Sequence, residues 1–201
     1  NENFLLHITS CVQAKKMNDI FENDRKFKEA IGAFIIAFSE LEFGLAILCT
    51  LTEFDPRNKD KFLSKYIGYS FEQKRNTLND FIKKELPEVQ KIWSEINTDI
   101  GQINRERRFI AHGFMTYSLP NENISTYVKE KGKIVEQKQS IEKIKNLTKS
   151  LYEINTGRNG VNGEFHTQFT KMRIDKWNDL VIEKNRIVYK VNNEIISQWK
   201  G

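Results

Sequence analysis

The sequence predicts an all-α fold with a small β-hairpin insertion. Three observations predict it. Apolar residues recur at steps of three and four over long stretches. Helix breakers are scarce, with 10 Gly and 3 Pro in 201 residues, and each interior Gly or Pro weakens a helix. In one short segment the period falls to two on either side of Lys131-Gly132-Lys133. A hydrophobic share of 39%, with 11% aromatic, excludes a disordered chain. The length suits one domain. A single domain over residues 1–201 is expected, with an N-terminal arm (1–23), core helices (24–118), a hairpin (119–139) and C-terminal helices (140–201).

The elements follow in order. Phe27, Ile31, Phe34, Phe38, Leu41, Leu45 and Leu48 place one long helix over residues 24–53. Its other side is also mostly apolar, so it is read as a central helix or one covered by a second subunit. Glu40 and Glu42 lie in the middle of the apolar run, where each would cost a few kcal/mol inside a bilayer. A buried helix without membrane contact is therefore expected. Asp55-Pro-Arg-Asn58 reads as a loop. Ser70 followed by Gln73 has the spacing of a capping box. Pro87 stops the helix that Ser70 opens and suits the first position of the next. Val89, Trp93, Ile96, Ile100, Ile103 and Ile110 form the stripe of that next helix, and Gly113 closes it.

Beyond Gly113, Ile124–Val128 and Ile134–Glu136 flank Lys131-Gly-Lys133 as a hairpin. Ser140 opens a helix through Ile141, Ile144, Leu147, Leu151 and Ile154, and residues 155–163 read as a loop. Ile174, Trp177, Val181, Val188, Val191, Ile195 and Trp199 favour a last helix. Arg186–Val191 admits a strand as the alternative.

Composition narrows the function. The net charge is +5, and residues 119–201 hold 15 basic against 10 acidic groups. That balance permits a nucleic-acid partner without requiring one. The two cysteines, Cys11 and Cys49, make no disulfide framework, so a reducing cytoplasm is expected. The first residues lack the basic region of a secretory leader. His7, His112 and His166 are far apart and no His-Glu-x-x-His is present, so no metal or cofactor is expected. Phosphate loops and serine-nucleophile elbows are also missing.

The segment Asn104-Arg-Glu-Arg-Arg-Phe-Ile-Ala-His-Gly113 stands apart. Arg107 falls on an apolar stripe, four residues after Ile103 and three before Ile110. A guanidinium there needs a partner, because an unpaired buried charge is costly. Glu42 occupies a similar position on the long helix. Local chemistry favours an Arg107–Glu42 pair, and the alternative is a cleft in which Arg107 holds an anion. His112 in a last helical turn is accounted for by the helix dipole alone.

Arg107, four intervening residues and His112, between Ala111 and Gly113 near the end of a long helix, resemble the motif of HEPN domains. These are helical bundles, and here the resemblance covers residues 24–155. The long helix bearing Ser39-Glu-Leu-Glu-Phe43 and the hairpin-then-helix after the motif are similar too. The resemblance implies a metal-independent endoribonuclease of the toxin or phage-defence kind, acting as a homodimer, with RNA as substrate and an antitoxin or regulatory protein as a further partner. It makes Arg107 and His112 catalytic, with Arg105 and Arg108 as substrate contacts and Glu42 in support. Asn or Asp is frequent in the family where Arg108 stands here. Members regulated by a nucleotidyltransferase carry Tyr where this chain has Phe114. Two alternatives stay open. One is a non-catalytic module that dimerises or recruits a partner. The other is an RNA-binding protein using Lys129, Lys131, Lys133, Lys138, Lys143, Lys145 and Lys149.

Overall fold

The structure, a computed structural model, describes residues 2–53, 59–118, 123–157, 160–175, 180–183, 186–191 and 194–200. The expected loop at Asp55–Asn58 lies outside them. The described chain is mostly helical. In order it comprises α1 (Glu2–Thr52), α2 (Lys59–Ile67), α3 (Phe71–Glu85), a 3-10 turn (Pro87–Val89), α4 (Gln90–His112), β1 (Phe114–Ser118), β2 (Asn123–Glu130), β3 (Lys133–Gln139), α5 (Ile141–Thr156), α6 (Glu164–Asp175), β4 (Leu180–Glu183), β5 (Arg186–Val191) and β6 (Glu194–Lys200). Helix α1 begins well before residue 24, taking in the expected arm, since no Gly or Pro precedes Gly32 to interrupt it. By length and composition alone, Phe21–Thr52 would suffice to cross a membrane.

The chain divides into two compact units, residues 1–36 with 105–149 and residues 37–104 with 150–201. In the second unit, the capping box forms as its spacing predicts. Ser70 Oγ accepts from Gln73 N at 3.3 Å, and Gln73 Oε1 accepts from Ser70 N at 2.8 Å. Pro87 ends α3 and opens the turn that leads into α4. The core gathers on aromatic rings. Trp93 stacks on Phe165 with centroids 5.6 Å apart, Phe165 meets Phe169 at 5.9 Å, and Phe38 meets Phe71 at 4.7 Å. Such pairs contribute about 0.5–1.5 kcal/mol beyond their buried area. Gly44 lets α1 approach the turn before α6, because a Cβ there would lie 2.8 Å from the Asn162 side chain. Arg173 of α6 closes the end of α1, donating from Nε to the Leu51 carbonyl (3.0 Å) and from Nη2 to the Thr52 carbonyl (3.3 Å). These are two of the carbonyls that a helix end leaves without internal partners.

The same unit corrects the expected last helix. Strands β4, β5 and β6 form an antiparallel sheet in the order β4-β5-β6, with Val181 opposite Val188 and Ile187 opposite Trp199. Leu180-Val-Ile182, Ile187-Val-Tyr189 and Ile195-Ile196 are short runs rich in β-branched residues. Such runs pack well in a sheet, and spacing alone does not separate them from a helix. The strand weighed for Arg186–Val191 is the one observed.

In the first unit the expected hairpin is present, and it carries a third strand. Phe114–Ser118, assigned from the sequence to the core helices, pairs with β2 to give the order β1-β2-β3. The β2–β3 loop is Lys131-Gly132, with φ of 48° and 83°. Two successive positive φ values are those of the type I′ turn, whose twist matches that of paired strands. Burial alternates along β2: Ile124, Thr126 and Val128 are buried, while Ser125, Tyr127 and Lys129 are accessible.

Candidate active site

The last turns of α4 carry the motif. Phe109 and Ile110 are buried, each 2% exposed, and anchor this end of the helix. Arg105, Arg108, Ala111 and His112 are exposed, while Arg107 is half-buried. Positions 105, 108 and 112 follow the i, i+3, i+7 rule, so three of the expected site residues share one accessible stripe. Arg107 leaves an ideal helix about 140° away from His112, on the side of Ile103 and Ile110. The expected residues are therefore brought together only in part.

Helix α4 ends abruptly. Gly113 N donates to the Phe109 carbonyl at 3.1 Å, and β1 begins at the next residue. A Cβ on residue 113 would meet the Phe109 carbonyl oxygen at 2.3 Å and the Thr126 Cβ at 3.1 Å. Gly113 is required by this close approach rather than by a left-handed backbone. His112 is thus held at a fixed junction of helix and sheet, in water, at the negative end of the helix dipole.

Neighbouring polar contacts fix the same junction. The Glu106 carboxylate accepts from Gln137 Nε2 at 2.9 Å on both oxygens and from Lys143 Nζ at 2.8 Å. It ties α4 to β3 and α5. On the opposite flank Arg108 Nη1 lies 3.3 Å from Glu130 Oε1, with the arginine side chain 50% exposed. An ion pair that open to water contributes at most about 1 kcal/mol. Sequence reasoning passed over Glu106. The signal available was its place beside Arg107, with Lys143 on the next helix.

Glu42 has a different partner from the one expected. Its Oε1 accepts from Lys74 Nζ at 2.9 Å, and Lys74 also donates to the Tyr69 carbonyl at 2.7 Å. The lysine side chain is 3% exposed and the glutamate 27%. The buried ammonium of α3 meets the need that the sequence reading assigned to Arg107. This pair belongs to the second unit and holds α3 against α1.

Other reactive groups are occupied structurally. Burial pushes the Cys49 thiol up to about 12, and its Sγ donates to the Lys74 carbonyl at 3.4 Å. Burial also holds His166 below the ordinary histidine value. The side chains of His7 and Cys11 lie outside the described residues. A groove of about 510 Å³ is lined by Thr52, Asp80, Phe81, Lys84, Glu85 and Arg173. Burial lowers Arg173 to about 10 there, against the raising effect of Glu85. Among the described residues, no three His, Cys, Asp or Glu side chains are grouped as metal ligands.

No family model, no curated protein and no solved structure matches this chain.

Proposed function

We propose that the chain is an endoribonuclease of HEPN type, with Arg107 and His112 as its catalytic residues, and that it works as a cytoplasmic homodimer in toxin or phage-defence biology. One observation carries this reading: the Arg107-x4-His112 spacing ends α4 at a solvent-exposed histidine flanked by Arg105 and Arg108.

The chemistry suits these groups. A ribose 2′-hydroxyl attacks the adjacent phosphorus, the P–O5′ bond breaks, and a 2′,3′-cyclic phosphate and a 5′-hydroxyl result. An imidazole can both accept and donate a proton, so His112 serves to take the 2′ proton or to supply the proton that the departing O5′ requires. Charge accumulates on the non-bridging oxygens, where a guanidinium offers two parallel N–H donors. Arg107 takes that role, and Arg105 and Arg108 contact neighbouring phosphates. The divergence of Arg107 from His112 on α4 is resolved if the second protomer's motif completes each site. An antitoxin or another regulatory protein controls the activity in the cell.

The test is incubation of purified protein with total RNA in EDTA. Cleavage leaving cyclic-phosphate and 5′-hydroxyl ends is expected. His112→Ala should slow it by about 10²–10⁴-fold, the usual worth of one acid–base group. Arg107→Lys keeps the charge but loses the planar fork, and should cost at least about tenfold, or roughly 1.4 kcal/mol. Wild-type rates in His112→Ala would remove the assignment. Complete loss of cleavage in EDTA would remove the metal-independent mechanism.

A further inference from the structure

The sheet of the first unit has a second surface that this chemistry does not use. Strand pairing sets Phe114 opposite Tyr127, Thr116 opposite Ser125, and Lys129 opposite Ile134. These side chains emerge on the side opposite buried Thr126. Phe114 is 79% exposed and Ile134 is 78% exposed. Two aromatic rings in direct cross-strand register thus stand on an open sheet, with Phe114 almost wholly in water.

Cations border the rings. Lys129 and Lys138 emerge on the same face, in register with Ile134 and Ser125, and Lys131 stands in the β2–β3 turn; all three are exposed. One carboxylate shares the face: Glu136 lies directly opposite Tyr127 and accepts from Ser125 Oγ at 2.6 Å, so Lys129, Lys131 and Lys138 still leave the face positive. The face therefore presents rings inside a positive rim. A second copy docked here about a two-fold axis would bring six lysines against two glutamates into one interface, which charge repulsion opposes. A polyanion with flat apolar rings meets both demands at once.

We propose that the outer face of β1–β3 is a docking platform for single-stranded RNA, on which bases stack against Phe114 and Tyr127 while phosphates meet the surrounding lysines. This rests on RNA being the substrate, and it narrows that substrate to unpaired strands. Bases inside a duplex have no free face to offer, whereas every unpaired base has one. The platform is also placed for delivery, since Phe114 follows His112 by two residues, a Cα separation of roughly 7 Å at most.

The experiment measures anisotropy of a short labelled oligoadenylate on protein carrying His112→Ala, so that the probe stays intact. Adding Phe114→Ala or Tyr127→Ala should weaken binding roughly 5- to 100-fold, as loss of one stacking partner does. Phe114→Tyr, which keeps a ring, should bind as the parent does. Lys129→Ala with Lys138→Ala should flatten the dependence of affinity on salt. A labelled RNA duplex should be indifferent to the ring changes. Thermal denaturation confirms that each variant is folded. Undiminished oligoadenylate binding in both ring-to-alanine variants overturns the platform, as does dimer dissociation on Phe114→Ala with RNA affinity unchanged. Cleavage by the protein with an intact His112 is scored separately. Ring-dependent binding without cleavage retains the platform and rejects the nuclease. Cleavage with ring-independent binding does the reverse.

Discussion

At the scale of single residues, one buried and one half-buried group set testable conditions on stability. Lys74 is 3% exposed and holds Glu42, which keeps 27% exposure. Lys74→Met removes the cation and leaves a carboxylate with partial access to water. A cost of roughly 1–3 kcal/mol is expected, below the ~3–5 kcal/mol of breaking a fully buried pair. Chemical denaturation measures it, and an unchanged midpoint would show that the pair adds no net stability. His166 is held below its ordinary value of 6.5 by burial. Its folded form prefers the neutral imidazole, so the unfolded chain takes up the proton first as the pH falls. The contribution of His166 is complete above about pH 6.5 and declines as the pH falls from there through the folded value. His166→Gln should flatten the pH dependence of the denaturation midpoint on the acid side of neutrality. An identical slope in the variant would exclude His166 as its source.

At the scale of elements, the helix-to-strand junction decides where His112 stands. Gly113 admits the Phe109 carbonyl and Thr126 so closely that a Cβ there would approach to 2.3 Å and 3.1 Å. Gly113→Ala must push α4 away from β1 and β2. A destabilisation of about 1–3 kcal/mol is expected, as for other overpacked sites. RNA cleavage should fall further than the folded fraction, because the shift moves His112. Activity in proportion to the folded fraction would show that the junction supports folding alone. The Glu106 contacts to Gln137 and Lys143 join the same three elements. They explain why β3 and α5 belong with the end of α4, which apolar spacing does not reveal.

At the scale of the whole molecule, helix α1 retains apolar surface. Ile36 in the first unit is 60% accessible, and Phe43 in the second is 50% accessible. A homodimer that buried Ile36 or Phe43 would gain about half of the 1.5–3 kcal/mol of a fully exposed side chain, since each is already partly covered. Light scattering at tens of micromolar is expected to give the dimer mass, and Ile36→Glu with Phe43→Glu the monomer mass. A monomer in the unmodified protein would remove the shared-cleft arrangement of the two motifs.

The sequence alone determined the helical core, the capping box, the role of Pro87 and the Lys131-Gly132 turn. Each is a local decision, taken by periodicity within one element or by a few residues in fixed order. The same local signals misled over β4, β5 and β6, where apolar steps matched a helix although short β-branched runs favoured strands. Strand β1 was hidden for a related reason. Five residues directly after a helix carry too short a pattern, and a strand is fixed by the partner it pairs with. Tertiary structure alone decided that Lys74 rather than a residue of α4 meets Glu42, since any of several cations in the sequence had the right charge. It also decided that Phe114 and Tyr127 stand side by side. That neighbourhood exists only in the register of the sheet, because a pairing shift of one residue turns every side chain to the other face.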